Sequence, residues 1–134
     1  MITGLREYQQ QAMKTCTKSS NNLLYMLFNL QGEVGELSGK IAKLIRKGKA
    51  WFDIGEERDC ISDVENTVVH DFQVLYTNTD EFNDIVNEIG DCLWQVAGVC
   101  SVLGLDLEVV ANKNLDKLSS RQERGVIVGD GDNR

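Results

Sequence analysis

Glu33-Val34-Gly35-Glu36 and Glu88-Ile89-Gly90-Asp91 each set two carboxylates three residues apart, inside segments whose apolar residues recur at helical spacing. Side chains three apart share a helix face, so each motif offers a pair of carboxylates from one patch. Across two packed helices, four such groups repel one another unless cations sit among them. An all-oxygen donor set suits a hard ion such as Mg2+, with Mn2+ as a substitute, and Mg2+ commonly arrives with phosphates attached. The chemistry these residues point to is therefore phosphate chemistry.

An isolated acidic pair on a helix is usually solvated surface. Two features argue otherwise here. Glu33 falls between Leu30 and Leu37 along an apolar stripe, where an unpartnered carboxylate is costly. Gly35 and Gly90 lie inside the helices, where glycine costs about 1 kcal/mol relative to alanine; the missing side chain leaves room for a helix or ligand to approach. Asp84, Glu88, Asp91 and Gln95 form a continuous line on one face, and Asp84 reads as an outer group of the cluster or as an exposed charge. Lys40, one turn after Glu36, can reach a phosphate or pair with Glu36. Further on, Asn114, Lys117 and Arg121 recur at three and four residues, a row able to hold phosphate oxygens, with the arginine offering bidentate geometry.

Other chemistries find little support. There is no Glu-x-x-His pair of the di-iron type, no Gly-rich phosphate loop, and His70 is the single histidine. Cys16, Cys60, Cys92 and Cys100 lack zinc-ligand spacing and read as reduced thiols of a cytosolic protein. With 134 residues, a net charge of −7 and a pI near 4.7, the chain fits one domain and lacks the field that draws nucleic-acid polymers or anionic membranes. Neither a signal peptide nor a membrane span is expected.

The elements that must position these groups are helices. Proline is absent, so nothing of that kind interrupts them. The spacing predicts a helix over 3–20 capped by Thr3, a second over 22–47 ending at Gly48, and a third carrying Ile61, Val64, Val68, Phe72 and Leu75. Strand propensity at 68–69 and 72–76 competes with that third helix. A fourth is predicted over 80–103 up to Gly104. Asp106 caps a last one over 107–124, closed by Gly125. The expected architecture is an all-α bundle of four or five helices.

The ordered series Asn29-Leu30-Gln31-Gly32-Glu33-Val34-Gly35-Glu36-Leu37, Asn87-Glu88-Ile89-Gly90-Asp91-Cys92-Leu93-Trp94, Leu103 to Val110 and Asn114-Leu115-Asp116-Lys117-Leu118 resembles the MazG-like branch of the all-α nucleoside triphosphate pyrophosphohydrolases. The ending, Arg124 to Arg134, resembles its small, often phage-encoded members. The resemblance implies a bundle of the MazG and dimeric dUTPase type in residues 1–125, with Glu33, Glu36, Glu88 and Asp91 as both catalytic residues and Mg2+ ligands. It also implies Asn114, Lys117 and Arg121 as phosphate contacts, with Lys40 beside them. The implied reaction is cleavage of a nucleoside or deoxynucleoside triphosphate to monophosphate and pyrophosphate, in a homodimer or homotetramer.

The chain departs from the compact members in its spacer, 51 residues between Glu36 and Glu88, so 49–80 reads as an insertion that shapes a base pocket, through Trp51, Phe52 or Phe72, or a subunit interface. Trp94 is a second stacking candidate, though its place suits the core. The Gly-rich tail 126–134 is expected to fold over the nucleotide or to fray. The competing functional reading is a non-enzymatic helical nucleotide-binding or oligomeric module.

Overall fold

The computed structural model describes residues 1–52, 72–74 and 80–126. Among the described residues, four α-helices carry the fold: α1 Leu5–Ala12, α2 Leu23–Arg46, α3 Asp80–Val102 and α4 Leu107–Glu123. The class is all-α. Two three-residue strands, β1 Ala50–Phe52 and β2 Phe72–Val74, pair antiparallel with Trp51 opposite Gln73. No single helix among the described residues is long and apolar enough to cross a membrane.

Local chemistry sets the helix ends. The Asn22 side chain accepts from the Tyr25 amide at 2.9 Å and starts α2. Asp106 does the same for α4, accepting from the amides of Glu108 and Val109 at 2.9 and 3.3 Å. Three helices stop alike. Gly48, Gly104 and Gly125 have φ of 66°, 68° and 65°, and the next amide reaches back to Leu44, Cys100 and Arg121 respectively. This closure needs a left-handed residue, for which glycine carries no Cβ penalty.

Two expectations are corrected. The first helix is shorter than 3–20, ending at Ala12 and followed by a single 3-10 turn, Met13–Thr15. Hydroxyls compete for its backbone: Thr15 donates to the Ala12 carbonyl at 2.7 Å, and the Thr17 amide donates to Ser20 Oγ at 3.0 Å. Thr3 is not its cap, since Gly4 occupies that position; the Thr3 amide and hydroxyl donate instead to Glu7 Oε2. Residues 72–74, assigned to a third helix, are strand β2. Aromatic and β-branched residues suit the pairing with β1. The rest of that predicted helix, most of the inserted segment, and residues 127–134 of the tail lie outside the described residues.

The described residues fall into two compact units, one drawn from Met1–Leu30 and from Cys92 onward, the other from Gln31–Asp91. In the first, Ala97, Cys100 and Leu107 are buried beneath Leu5, Tyr8 and Met13. Buried Gln9 ties α1 to the α3–α4 turn: its amide group donates to Ser101 Oγ and the Leu105 carbonyl, and its Oε1 accepts from the Leu107 amide. The Arg6 guanidinium beside Asp106 holds that carboxyl below its usual range, chiefly by hydrogen bonding. The Trp94 indole donates to the Ala12 carbonyl at 3.1 Å and to Thr15 Oγ1 at 2.9 Å, which commits this ring to packing against the end of α1.

Within this unit α2 and α3 approach closely at Gly98. A Cβ on Gly98 would lie 2.4 Å from Sδ and 2.8 Å from Cε of Met26, itself fully buried. Overpacking costs typically 1–3 kcal/mol, while alanine gains about 1 kcal/mol over glycine in a helix. Gly98→Ala is therefore expected to lower the urea midpoint, with a net loss of up to roughly 2 kcal/mol. A midpoint at or above wild type would show that Met26 can repack.

In the second unit, Leu44, Ala50 and Ile85 are buried, with Leu37 and Ile41 packed on them. Glu81 pairs with Lys49 and, at 3.7 Å, with Lys47. This small core fixes α2 to α3 where the acidic motifs lie.

Candidate metal centre

Both motifs belong to the Gln31–Asp91 unit. On α2 the residues Glu33, Leu37, Ile41 and Leu44 follow one another at four, four and three, so Glu33 extends the face that packs into the core. On α3, Glu88 lies three residues after buried Ile85. The core geometry thereby sends a carboxylate from each helix inward. Glu88 is 7 % exposed, Glu33 is half-buried and Asp91 is exposed.

One carboxylate oxygen from each of Glu33, Glu88 and Asp91 lies within 4.8 Å of the others. Three oxygen donors, one buried and one open to solvent, fit a hard divalent cation that keeps positions for water or phosphate. Glu36 is exposed and is not part of this three-residue group.

Lys40 does not take Glu36, one of the two partners considered for it. Its Nζ lies 3.1 Å from Glu88 Oε1 and 3.2 Å from Asp84 Oδ2, reaching across to α3 rather than along α2 to Glu36. Hydrogen bonding to Glu88, then to Asp84, raises its pKa, so the group is an ammonium. Asp84 is both exposed and an outer member of the cluster through this bridge. On the Asp84 side, Lys40, Lys43, Leu44, Lys47, Glu81 and Asp84 line a small cleft. Helical spacing along α3 singled out Asp84, but its link to Lys40 depends on interhelical packing, for which the sequence carries no direct signal.

Neither motif glycine is crowded. Among the described residues, no atom beyond the local helix backbone lies within 4 Å of where a Cβ on Gly35 or Gly90 would stand. Among the described residues, the space that these glycines leave beside the carboxylates is open.

Asn114, Lys117 and Arg121 lie on α4, in the other unit. Asn114 and Lys117 are exposed, whereas Arg121 is buried. A helical row thus has unequal surroundings, with Arg121 buried between exposed neighbours.

An all-α protein with a three-carboxylate centre on two helices is the class that these features define. The MazG nucleotide pyrophosphohydrolase domain matches residues 21–126, and the chain belongs to that family. The Gene 37 protein of Mycobacterium phage L5 is 34 % identical over 116 residues, covering 87 % of this chain and 80 % of that protein. No solved structure matches.

Proposed function

We propose that this protein is a Mg2+-dependent pyrophosphohydrolase that cleaves a nucleoside or deoxynucleoside triphosphate to the monophosphate and pyrophosphate. The observation that carries the reading is the convergence of Glu33, Glu88 and Asp91 within 4.8 Å in a chain of the MazG family. Glu36, one turn from Glu33 on α2, is the proposed fourth carboxylate. Bound Mg2+ supplies neutralisation of the triphosphate and of the charge that builds up during in-line attack at the α-phosphorus.

The chain's own groups do the rest. Buried Glu88 is held in place by Lys40 and by the packing of Ile85 beside it. Solvent-facing Asp91 and Glu36 leave the centre open on one side. In the reaction, a water oxygen bonds to the α-phosphorus, the bridging oxygen leaves with pyrophosphate, and a carboxylate of the cluster takes the water proton. Exposed Asn114 and Lys117 are the proposed phosphate contacts; the burial of Arg121 makes it the least suited of the three.

Subunit association belongs to the same reading. Leu24, Leu27 and Phe28 share one face of α2 in the first unit, with Leu24 63 % and Phe28 65 % exposed; Val86 and Ile89 are exposed on α3 in the second. Burying such a side chain fully is worth about 1.5–3 kcal/mol, and faces of this kind mark interaction surfaces. This supports a homodimer or homotetramer. Segment 49–80 is proposed as an insertion that contributes to the base pocket or to that interface.

The test is a panel of canonical and modified triphosphates incubated with Mg2+ and assayed for both pyrophosphate and monophosphate. Equal amounts of the two products are expected. Orthophosphate with a diphosphate would rule out α-phosphorus cleavage, and tight binding without turnover would favour a nucleotide-binding module.

A further inference from the structure

We propose that Lys40 is a built-in cation at Glu88, which a divalent metal must displace, and that Asp84 is where its ammonium then goes. This rests on the metal centre proposed above and concerns how that centre is loaded. Lys40 Nζ lies 3.1 Å from Glu88 Oε1, an oxygen of a residue in the three-carboxylate group, and 3.2 Å from Asp84 Oδ2, which is outside that group. The ammonium is therefore shared between a proposed ligand and a neighbour one helical turn away.

Three features make this a two-position carrier rather than a fixed structural bridge. Lysine is a compact charge on a flexible stem, so it can change partners without moving the backbone. The two carboxylates differ in setting, with Glu88 buried and the Asp84 side chain 52 % exposed. The cleft beside Asp84 is lined by Lys40 itself, giving its stem room on that side. A divalent cation at Glu88 repels the ammonium, and Asp84 receives it without leaving the charge unpaired.

The consequence is a metal affinity held below what the carboxylates alone would give. The experiment titrates the full-length protein with Mn2+ by calorimetry, without nucleotide, for wild type, Lys40→Met, Lys40→Gln, Lys40→Arg, Asp84→Asn and the Lys40→Met/Asp84→Asn double variant. Melting curves without metal verify that each variant is folded, and the glutamine variant replaces the methionine one if the latter is not. Removing the ammonium is expected to tighten Mn2+ binding at least about tenfold, because a unit charge within several ångströms of a divalent one opposes binding by that much even under the full screening of water. Arginine at position 40, which keeps the charge, should stay within about twofold of wild type.

Asp84→Asn should weaken binding at least about threefold more in the wild-type background than in the Lys40→Met background, because the retreat exists only when Lys40 is present. Through-space charge effects alone would leave the two losses equal. Unchanged or weaker Mn2+ binding in Lys40→Met, or equal Asp84→Asn losses, overturns the inference while leaving the metal centre standing. If wild type shows no Mn2+ binding that Glu88→Gln removes, the metal centre fails, and the inference falls with it.

Discussion

Replacing Glu88 with glutamine is expected to lower pyrophosphate release by roughly a thousandfold, the scale seen when a group that stabilises transition-state charge is removed. Glutamine keeps the volume and one oxygen of the side chain, so the packing beside Ile85 survives. What disappears is the inward negative charge, on the most buried member of the three-carboxylate group. The metal-free protein should change little in stability, since two effects oppose each other. One repelling charge is removed from beside Glu33 and Asp91, while Lys40 loses Glu88 but retains Asp84. A variant that melts like wild type but does not turn over is the informative outcome. Glu33→Gln should behave alike. Glu36→Gln tests whether an exposed carboxylate outside the group of three joins it during the reaction. Full activity of Glu88→Gln, with normal helical content by circular dichroism, would falsify the carboxylate centre.

The parts of this molecule that could be read from sequence are those set by local chemistry. Asp106 and Gly125 bracket α4, and Asn22 and Gly48 bracket α2, because a cap and a left-handed stop act within a few residues. The acidic motifs were legible for a similar reason, since three-residue spacing on a helix fixes a shared face. Their convergence in space followed from the apolar residues beside them: Leu37, Ile41 and Leu44 on one helix and Ile85 on the other.

What escaped depends on partners distant in sequence. Gln9 looks like any polar residue of α1, yet it is buried because three groups of the α3–α4 turn satisfy it. Lys40 sits one turn from Glu36, and only packing between helices gives it to Glu88 and Asp84 instead. The glycines show the same limit. Gly35 and Gly90 drew notice through their motifs but face open space, whereas Gly98, without a motif, sits against Met26. Apolar periodicity also covers more than the core: Leu27, Val34, Ile89, Leu93 and Val96 fit the helical period but are exposed in the single chain. Periodicity identifies a face without saying whether this chain or another covers it.

Adding Mn2+ or Mg2+ is expected to raise the melting temperature, by roughly 10 °C at a hundredfold excess over the dissociation constant. At that excess a ligand that binds only the folded state contributes about 2.7 kcal/mol, and for a chain of 134 residues each kcal/mol shifts the midpoint by about 3–5 °C. The physical source is local. Glu33, Glu88 and Asp91 are held within 4.8 Å by the packing of α2 and α3, with the Lys40 ammonium shared between Glu88 and Asp84. A divalent ion bound among the three carboxylates relieves part of their mutual repulsion in the folded chain. Unfolding separates the carboxylates and dissolves the site, so the binding energy counts towards folding. EDTA should reverse the shift, and Glu88→Gln or Glu33→Gln should remove most of it. Sodium chloride at matched ionic strength should not reproduce it, because screening acts on all surface charges alike. Identical melting curves in EDTA and in excess Mn2+ would leave these carboxylates as ordinary helix surface and would remove the basis for metal-dependent chemistry here.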